Sequence, residues 1–309
     1  MATTQSPAHL PRPRLSFRPT RLVPGLFPEV QVRDLHGMPR LLACMGSLEL
    51  RLAVTRREIR QAQKLRWEVF VQQGHAHPDR KSLLNRRDIC PFDRICDHLI
   101  VIDTQARSRN VRNKQGRIKP RVVGTYRLLR QDVAEAHSGF YSASEFAISD
   151  LTDRHPGKNF LELGRSCILP EYRARRALEL LWRGLWMYSQ HHSIDVMIGC
   201  ASIHGTEVDT HSAILSYIHD RALASGEWHV PPLPGANLDI SEFSAGNTTI
   251  AGQALPLAIP PLVKGYLRLG AKFGQGVFVD RQFGTTDILV VLPVANINRR
   301  YANYFSSQT

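Results

Sequence analysis

The segment from Phe160 to Ile203 constrains the fold more than any other part of the chain. It opens with FLELGRSCIL (160–169), an apolar run that reads as a buried strand. Helical spacing follows to about His191, with Leu178, Leu181, Trp182, Leu185 and Trp186 on one stripe, and DVMIGCASI (195–203) reads as a second buried strand. Upstream lie LELRLAV before Thr55, then HLIVID (98–103) and RVVGTYRLL (121–129), separated by a basic hairpin-like stretch, RNVRNKQGRIKP. Thr55-x-x-Glu58 is a capping box, and Ile59, Ala62, Leu65, Val69 and Phe70 continue a helix from it to near Gly74, followed by a polar loop. Downstream, Asp209 or Thr210 can cap a helix bearing Ile214, Leu215 and Ile218. A helix from Pro261 to about Phe273, the strands GVFVD and DILVVLPV, and a short helix close the chain. A meander joined to a strand–helix–strand unit makes a mixed sheet. The expected architecture is an α/β domain over 47–305, its mixed β-sheet flanked by helices, with an extra C-terminal helix and strands and an irregular insertion at about 225–255. Residues 1–46 read as a basic, Pro-rich, flexible tail.

Of 309 residues, 43% are hydrophobic, enough for a substantial core. A formal net charge of +13 points to an anionic partner: nucleic acid, an acidic carrier protein or anionic lipid. The basic residues are dispersed and no nucleic-acid-binding module accompanies them, so no nucleic-acid partner is expected. The five cysteines form no C-x-x-C pair, which argues against a disulfide framework or structural zinc and fits a reducing cytoplasm. The N-terminal stretch, with Arg and Pro scattered through it, does not read as a secretory signal, and the sequence holds no long uncharged apolar run. The nearest candidate span, Ala254–Ala271, contains Lys264, Arg268 and three prolines, and reads as a core-packed helix; the alternative is a helix lying on a bilayer. A cytoplasmic protein is expected, with peripheral contact to an anionic inner membrane as the further expectation.

Several motifs can be set aside. His98 and Asp103 match H-x-x-x-x-D, but positions five apart on a strand face opposite sides. There is no G-x-S-x-G, H-E-x-x-H or Walker loop. The histidines His191, His192, His204, His211 and His219 lack a carboxylate or cysteine at ligand spacing, so no metal site is expected. The Gly-x-Gly of FGQGVFVD precedes a strand, whereas a nucleotide loop follows one, so it reads as a turn.

What needs explanation is a core strand carrying Glu162 and Arg165, because an unpaired buried charge costs several kcal/mol. Two readings stand: a structural ion pair, or a catalytic site. Gly164 makes a β-bulge plausible, and a bulge would bring Glu162 and Arg165 to one side of the sheet. Amine attack on a thioester needs a base, donors for the developing oxyanion and a groove for the acyl carrier. A buried Glu suits the first and backbone N–H groups at a strand irregularity suit the second.

The blocks LRWEVF, FDRICDHLIVID, VVGTYRLL, GFYSASEF, LELGRSCILPEYR, LLWRGLWMY, GCASIHG and PPLVKGYLRLGAKFGQGVFVDRQFGTTDILVVLPV resemble, in order, those of the bacterial L-ornithine N-alpha-acyltransferases, a hemolysin-like group of the GNAT acyltransferase fold. The resemblance spans about Leu48 to Phe305. It implies transfer of a 3-hydroxyacyl group from acyl carrier protein to the α-amine of L-ornithine, the lyso-ornithine lipid step that opens ornithine lipid synthesis. The donor is then the carrier's phosphopantetheine thioester, with no permanently bound cofactor.

A more distant likeness to the acyl-homoserine lactone synthases covers Arg66, Phe70, Asp93, Asp97, Arg127, Glu162 and Arg165. The implied roles are Glu162 as base through a water, Arg165 and Arg127 as carboxylate holders, and backbone N–H groups of Cys167 to Leu169, Ile168 among them, as the oxyanion site. Asp93, Asp97 and Glu145 would grip the ornithine ammonium groups; Arg66 and Phe70 complete the substrate set. Tyr217 is a possible proton donor to the thiolate, although a core tyrosine is the simpler reading. One departure is informative: coenzyme-A users of this fold carry a glycine-rich loop where this chain has YRARRAL. That favours a carrier-protein donor, met by Arg173, Arg175 and Arg176. The alternatives are acylation of another amino-acid amine, as in the lactone synthases, and a basic binding module without chemistry.

Overall fold

Thr55 caps the first helix, α1 (Arg56–Arg66), by accepting the Glu58 N–H while the Glu58 carboxylate accepts the Thr55 N–H, as the Thr-x-x-Glu spacing predicts. The structure, a computed structural model, describes residues 33–106, 119–173, 175–243 and 259–298, with Arg300 and Tyr304. The chain divides into Met1–Val30, wholly outside those residues, and the unit Gln31–Thr309. Past Arg66 the helix widens into one π-helical turn, Trp67–Gln72, in which the Gln73 N–H bonds the Glu68 carbonyl. The single helix expected to run to Gly74 is thus interrupted, and the extra residue in that turn redirects Phe70.

The sheet contains β1 (Leu41–Met45), β2 (Leu48–Leu52), β3 (Asp97–Asp103), β4 (Arg121–Arg130), β5 (Phe160–Ile168), β6 (Val196–His204), β7 (Asn237–Asp239), β8 (Lys272–Asp280) and β9 (Thr285–Pro293). Their order is β1-β2-β3-β4-β5-β6-β9-β8-β7, and only β5 and β6 run parallel. The mixed sheet is therefore present, with the parallel pair inside the strand–helix–strand unit. Its first strand falls within the stretch assigned to the tail, so the sheet begins before residue 47.

Further helices are α2 (Arg80–Asn85), α3 (Gln131–Glu135), α4 (Ile148–Asp153), α5 (Arg175–His191), α6 (Ser212–Ala222) and α7 (Pro261–Leu269). Helix α5 lies across β1 to β5, burying Leu180, Leu181, Leu185 and Tyr188, while α1 packs against β3, β4 and β5. The polar loop after α1 contains α2, which Asp79 caps by accepting the Ser82 N–H. Thr210 does not cap α6; its hydroxyl donates to the Glu207 carbonyl in a separate turn, and α6 starts after His211 without a side-chain cap. Helix α7 stops at Gly270, whose φ of +92° ends it, and β8 starts at Lys272, earlier than GVFVD implied. Tyr266 of α7 is buried, its hydroxyl 2.6 Å from that of Tyr126 and its ring against Trp182, as the core-packed reading requires. No helix among the described residues is long and apolar enough to cross a membrane. Most of RNVRNKQGRIKP, the second half of the insertion (244–258) and the helix expected near the C-terminus lie outside the described residues.

β5 and β6 pair only from Phe160↔Val196 to Glu162↔Ile198. Gly199, the next residue of β6, passes so near Leu163 that a Cβ would stand 2.3 Å from its carbonyl oxygen. Beyond that point the two strands diverge, opening a gap in the sheet's hydrogen bonding directly after Glu162. Gly199→Ala should therefore lower the unfolding free energy by about 1–3 kcal/mol in urea titration. An unchanged midpoint would mean that the close approach is not needed.

Candidate active site

Arg66, at the end of α1, is completely buried, and its guanidinium is fully committed to the loop before β3. It donates to both carboxylate oxygens of Asp93 (2.9 and 2.6 Å), to the Asp88 carboxylate (2.7 Å) and to the Asp88 carbonyl (2.6 Å). Asp93 also accepts Gln63 Nε2 and the Cys90 N–H, and Arg66 beside it holds its carboxyl well below the ordinary range against the cost of burial. The structure thus gives Arg66 and Asp93 a structural part, not the substrate contacts expected of them. Around this pair, Arg127 Nη1 stands 3.8 Å from Asp93 and Arg165 Nε 3.4 Å from Asp88. Three guanidiniums face two carboxylates, leaving one positive charge in excess. Arg66→Met would strand both aspartates, and a loss of about 3–5 kcal/mol is expected in denaturant titration; a near-neutral effect would remove the cluster from its anchoring role.

β5 carries the expected bulge, with a twist in its placement. Arg127 pairs with Gly164 but Thr125 pairs with Cys167, so β5 has one extra residue between them. The left-handed backbone falls on Arg165, at φ +51°, and not on Gly164. Gly164 serves differently: the Arg127 guanidinium lies 3.4–3.8 Å from where its Cβ would be. Glu162 and Arg165 meet the same turn, Tyr141–Ser144. Glu162 accepts the N–H groups of Tyr141 (2.8 Å) and Ser142 (2.7 Å) and the Ser142 hydroxyl. Arg165 is stacked between the rings of Tyr141 (4.8 Å) and Phe283 (4.4 Å). The two charges do not pair with each other, so the ion-pair reading of this strand is not what the structure contains. Arg165 Nε and Arg127 Nη1 are buried donors without a hydrogen-bond partner among the described residues. Beside them is a cavity of about 200 Å³ lined by Phe70, Asp88, Cys90, Tyr141, Arg165 and Phe283 among others.

The three backbone N–H groups expected to form the oxyanion site are not equivalent. Leu169 N–H bonds the Val123 carbonyl at 2.9 Å, and alternation along the ladder turns Cys167 N–H the same way, toward β4. Ile168 N–H points to the other edge, where β6 has diverged. The Cys167 thiol is buried and pushed up to about 12 by desolvation, so it is no nucleophile at neutral pH. At the start of α5, Arg173 and Arg176 are exposed, and Arg173 Nε donates to the Ile168 carbonyl; the Arg175 side chain lies outside the described residues. Tyr217 packs against the hydrophobic core, the simpler of its two readings.

Asp97 belongs to the opposite side of the sheet: it accepts the Tyr188 hydroxyl of α5 at 2.7 Å and does not join the other residues. His98 and Asp103 are likewise apart, His98 near the Asp93 carbonyl and Asp103 accepting from Tyr172. Glu145 is buried just beyond the Tyr141–Ser144 turn, accepts the Cys200 thiol at 3.1 Å and lies near Asp287 of β9. Burial, with Asp287 and Asp280 adding repulsion, raises Glu145 to about 7, and burial raises Asp287 to about 6.

The family model for the acetyltransferase (GNAT) domain matches residues 65–183, which hold Arg66, Asp93, Arg127, Glu162 and Arg165. L-ornithine N(alpha)-acyltransferase of Agrobacterium fabrum is 47% identical over 87% of this chain and 88% of its own length. The protein of that name from Brucella abortus is 44% identical over 88% of this chain and 94% of its own. The chain belongs to the L-ornithine N(alpha)-acyltransferase family. It is an acyltransferase with the GNAT fold. An N-acyl amino acid synthase from uncultured soil microbes has a solved structure with a TM-score of 0.44 to this chain at 13% identity, covering 85% of this chain and 94% of that one.

Within this acyltransferase, sequence reasoning missed Asp88, Tyr141, Ser142, Phe283 and Asp287. For Asp287 the signal was in plain view: a carboxylate opening the apolar run DILVVLPV, as Glu162 interrupts FLELGRSCIL. The raised carboxyls of Glu145 and Asp287 have a measurable sign. Each binds its proton more tightly folded than unfolded, so its stabilising effect is complete below the ordinary values of 4.5 and 3.8 and is lost as pH rises to about 7 and 6. The melting temperature of the ligand-free protein should carry a component that falls between pH 4.5 and 7, and Glu145→Gln should flatten it. Identical pH profiles for the two proteins would contradict the assignment.

Proposed function

We propose that this acyltransferase moves a 3-hydroxyacyl group from acyl carrier protein to the α-amine of L-ornithine, giving lyso-ornithine lipid at the first step of ornithine lipid synthesis. The observation that carries the reading is the pair of buried guanidiniums, Arg127 on β4 and Arg165 on β5 beside Glu162, which with Arg66 outnumber the two aspartates they face. A buried cationic surplus beside a carboxylate fits an amino acid presenting its carboxylate to arginine and its amine to a base.

In this mechanism Arg127 and Arg165 hold the ornithine carboxylate. The two N–H bonds from Tyr141 and Ser142 fix the orientation of the Glu162 carboxylate, which takes the ammonium proton through a water. The freed amine attacks the thioester carbon. The oxyanion meets the Ile168 N–H in the gap, and collapse expels the phosphopantetheine thiolate, which takes up the second proton lost by the amine and leaves as the thiol. Exposed Arg173 and Arg176 would meet the donor's phosphate or the acidic carrier, and Arg175 is assigned to the same set by sequence. The names of the relatives support ornithine as the acceptor; the absence of a glycine-rich loop in YRARRAL supports a carrier-bound donor.

Purified protein incubated with 3-hydroxyacyl carrier protein and L-ornithine should yield N-acylated ornithine by mass spectrometry. Glu162→Gln should lower kcat by about 10²–10⁴-fold while the protein still folds, since general-base catalysis is of that size. Undiminished turnover by that variant would exclude Glu162 as base, and no product from the wild type would exclude the reaction.

A further inference from the structure

Of the three carboxylates expected to grip ammonium groups, two are otherwise engaged: Asp93 is bonded by Arg66, Gln63 and Cys90, and Asp97 faces α5. Glu145 remains, and its surroundings are unusual. Ligand atoms of Glu145, Cys200 and Asp287 lie within 4.8 Å of one another, brought together from the turn after Ser144, from β6 and from β9. Asp287 is only 5% exposed, yet its Oδ1 has no hydrogen-bond partner among the described residues. No Lys or Arg among those residues forms an ion pair with either carboxylate; the neighbouring acids are Asp280 and, through Cys200, Glu162. Two buried carboxyls side by side favour holding a proton, and a cation arriving between them would draw both into the charged form.

We infer that Glu145 and Asp287 bind the side-chain ammonium of a diamino acid acceptor, so that the site reads both ends of the substrate. This deepens the acyltransferase reading above and rests on it. Arg165 lies within electrostatic reach of both carboxylates, so the cation-holding and anion-holding halves form one bipolar site. Their positions follow from the sheet: Cys200 lies two residues beyond Ile198, the last β6 residue paired with β5, and Asp287 is opposite Ser202. The pairing therefore puts Cys200 and Asp287 on the same face of the sheet as Glu162. An ammonium has three donors to offer, and the Cys200 thiol, held protonated by burial and the adjacent acids, already gives its own proton to Glu145.

The test compares L-ornithine with L-norvaline, which has the same carbon chain without the side-chain amine. Wild-type kcat/KM should favour ornithine by roughly 30-fold or more, the effect of leaving a buried charge partner unmet. Glu145→Gln and Asp287→Asn should each bring the ratio to within about threefold, chiefly through KM for ornithine. A melt of each variant without ligand checks folding, and either variant alone suffices if the other fails to fold. A ratio unchanged by both would overturn the assignment, as would a zinc ion held by these residues in the protein as purified. If no amine is acylated at all, calorimetric titration of ornithine and norvaline into the same proteins without donor still decides: a preference lost in the variants upholds the ammonium site while the transfer reaction falls.

Discussion

Arg66 and the two aspartates it holds join α1, the loop before β3, β4 and β5 on one face of the sheet. Through Asp93 and Asp88 the end of α1 is tied to the loop that leads into β3, and against those same aspartates lean Arg127 and Arg165. A buried ion cluster is poor evidence of net stabilisation, because desolvation cancels much of the attraction. What it provides is geometry. Long, flexible guanidiniums are immobilised by being set against charges that are themselves immobile.

The distribution of charge then makes chemical sense. Where β4 and β5 meet the ion cluster, positive charge exceeds negative. Where β6 and β9 pass, Glu145 and Asp287 lie together with no ion-pair partner among the described residues. Glu162 lies between, its carboxylate gripped by a turn and not by a cation. The single parallel pairing makes this arrangement possible: an antiparallel neighbour could have bonded β5 along its length, whereas β6 leaves after Glu162 and uncovers the edge beyond it.

Much of this was legible in the sequence. The capping box at Thr55, the strand–helix–strand unit, the bulge in β5 and the charges Glu162 and Arg165 within a buried strand all leave local marks: a spacing, a change of period, a glycine, a charge in an apolar run. What was not legible depends on partners distant in the chain. Arg66 looked like a substrate ligand because nothing local shows that Asp88 and Asp93 surround it. Asp97 and Asp93 are four residues apart, yet the onset of β3 turns them to opposite sides. Leu41–Met45 is too short and too near a basic tail to announce a strand, and it is one only because β2 offers an edge. Thr210 satisfied the capping pattern but met a nearer carbonyl.

The extra residue at Arg165 also acts on everything that follows it in β5. Before the bulge, even-numbered residues such as Glu162 and Gly164 face α1; after it, odd-numbered Cys167 does, and Ile168 turns toward α5. The bulge makes room for two residues, Arg165 and Ser166, where a regular strand has one. Removing one of them would leave Cys167 opposite Thr125, but the single residue left between Gly164 and Cys167 would face α5, and no side chain could take the place of Arg165 beside Tyr141. Over this stretch the spacing of residues is as much part of the active site as their chemistry.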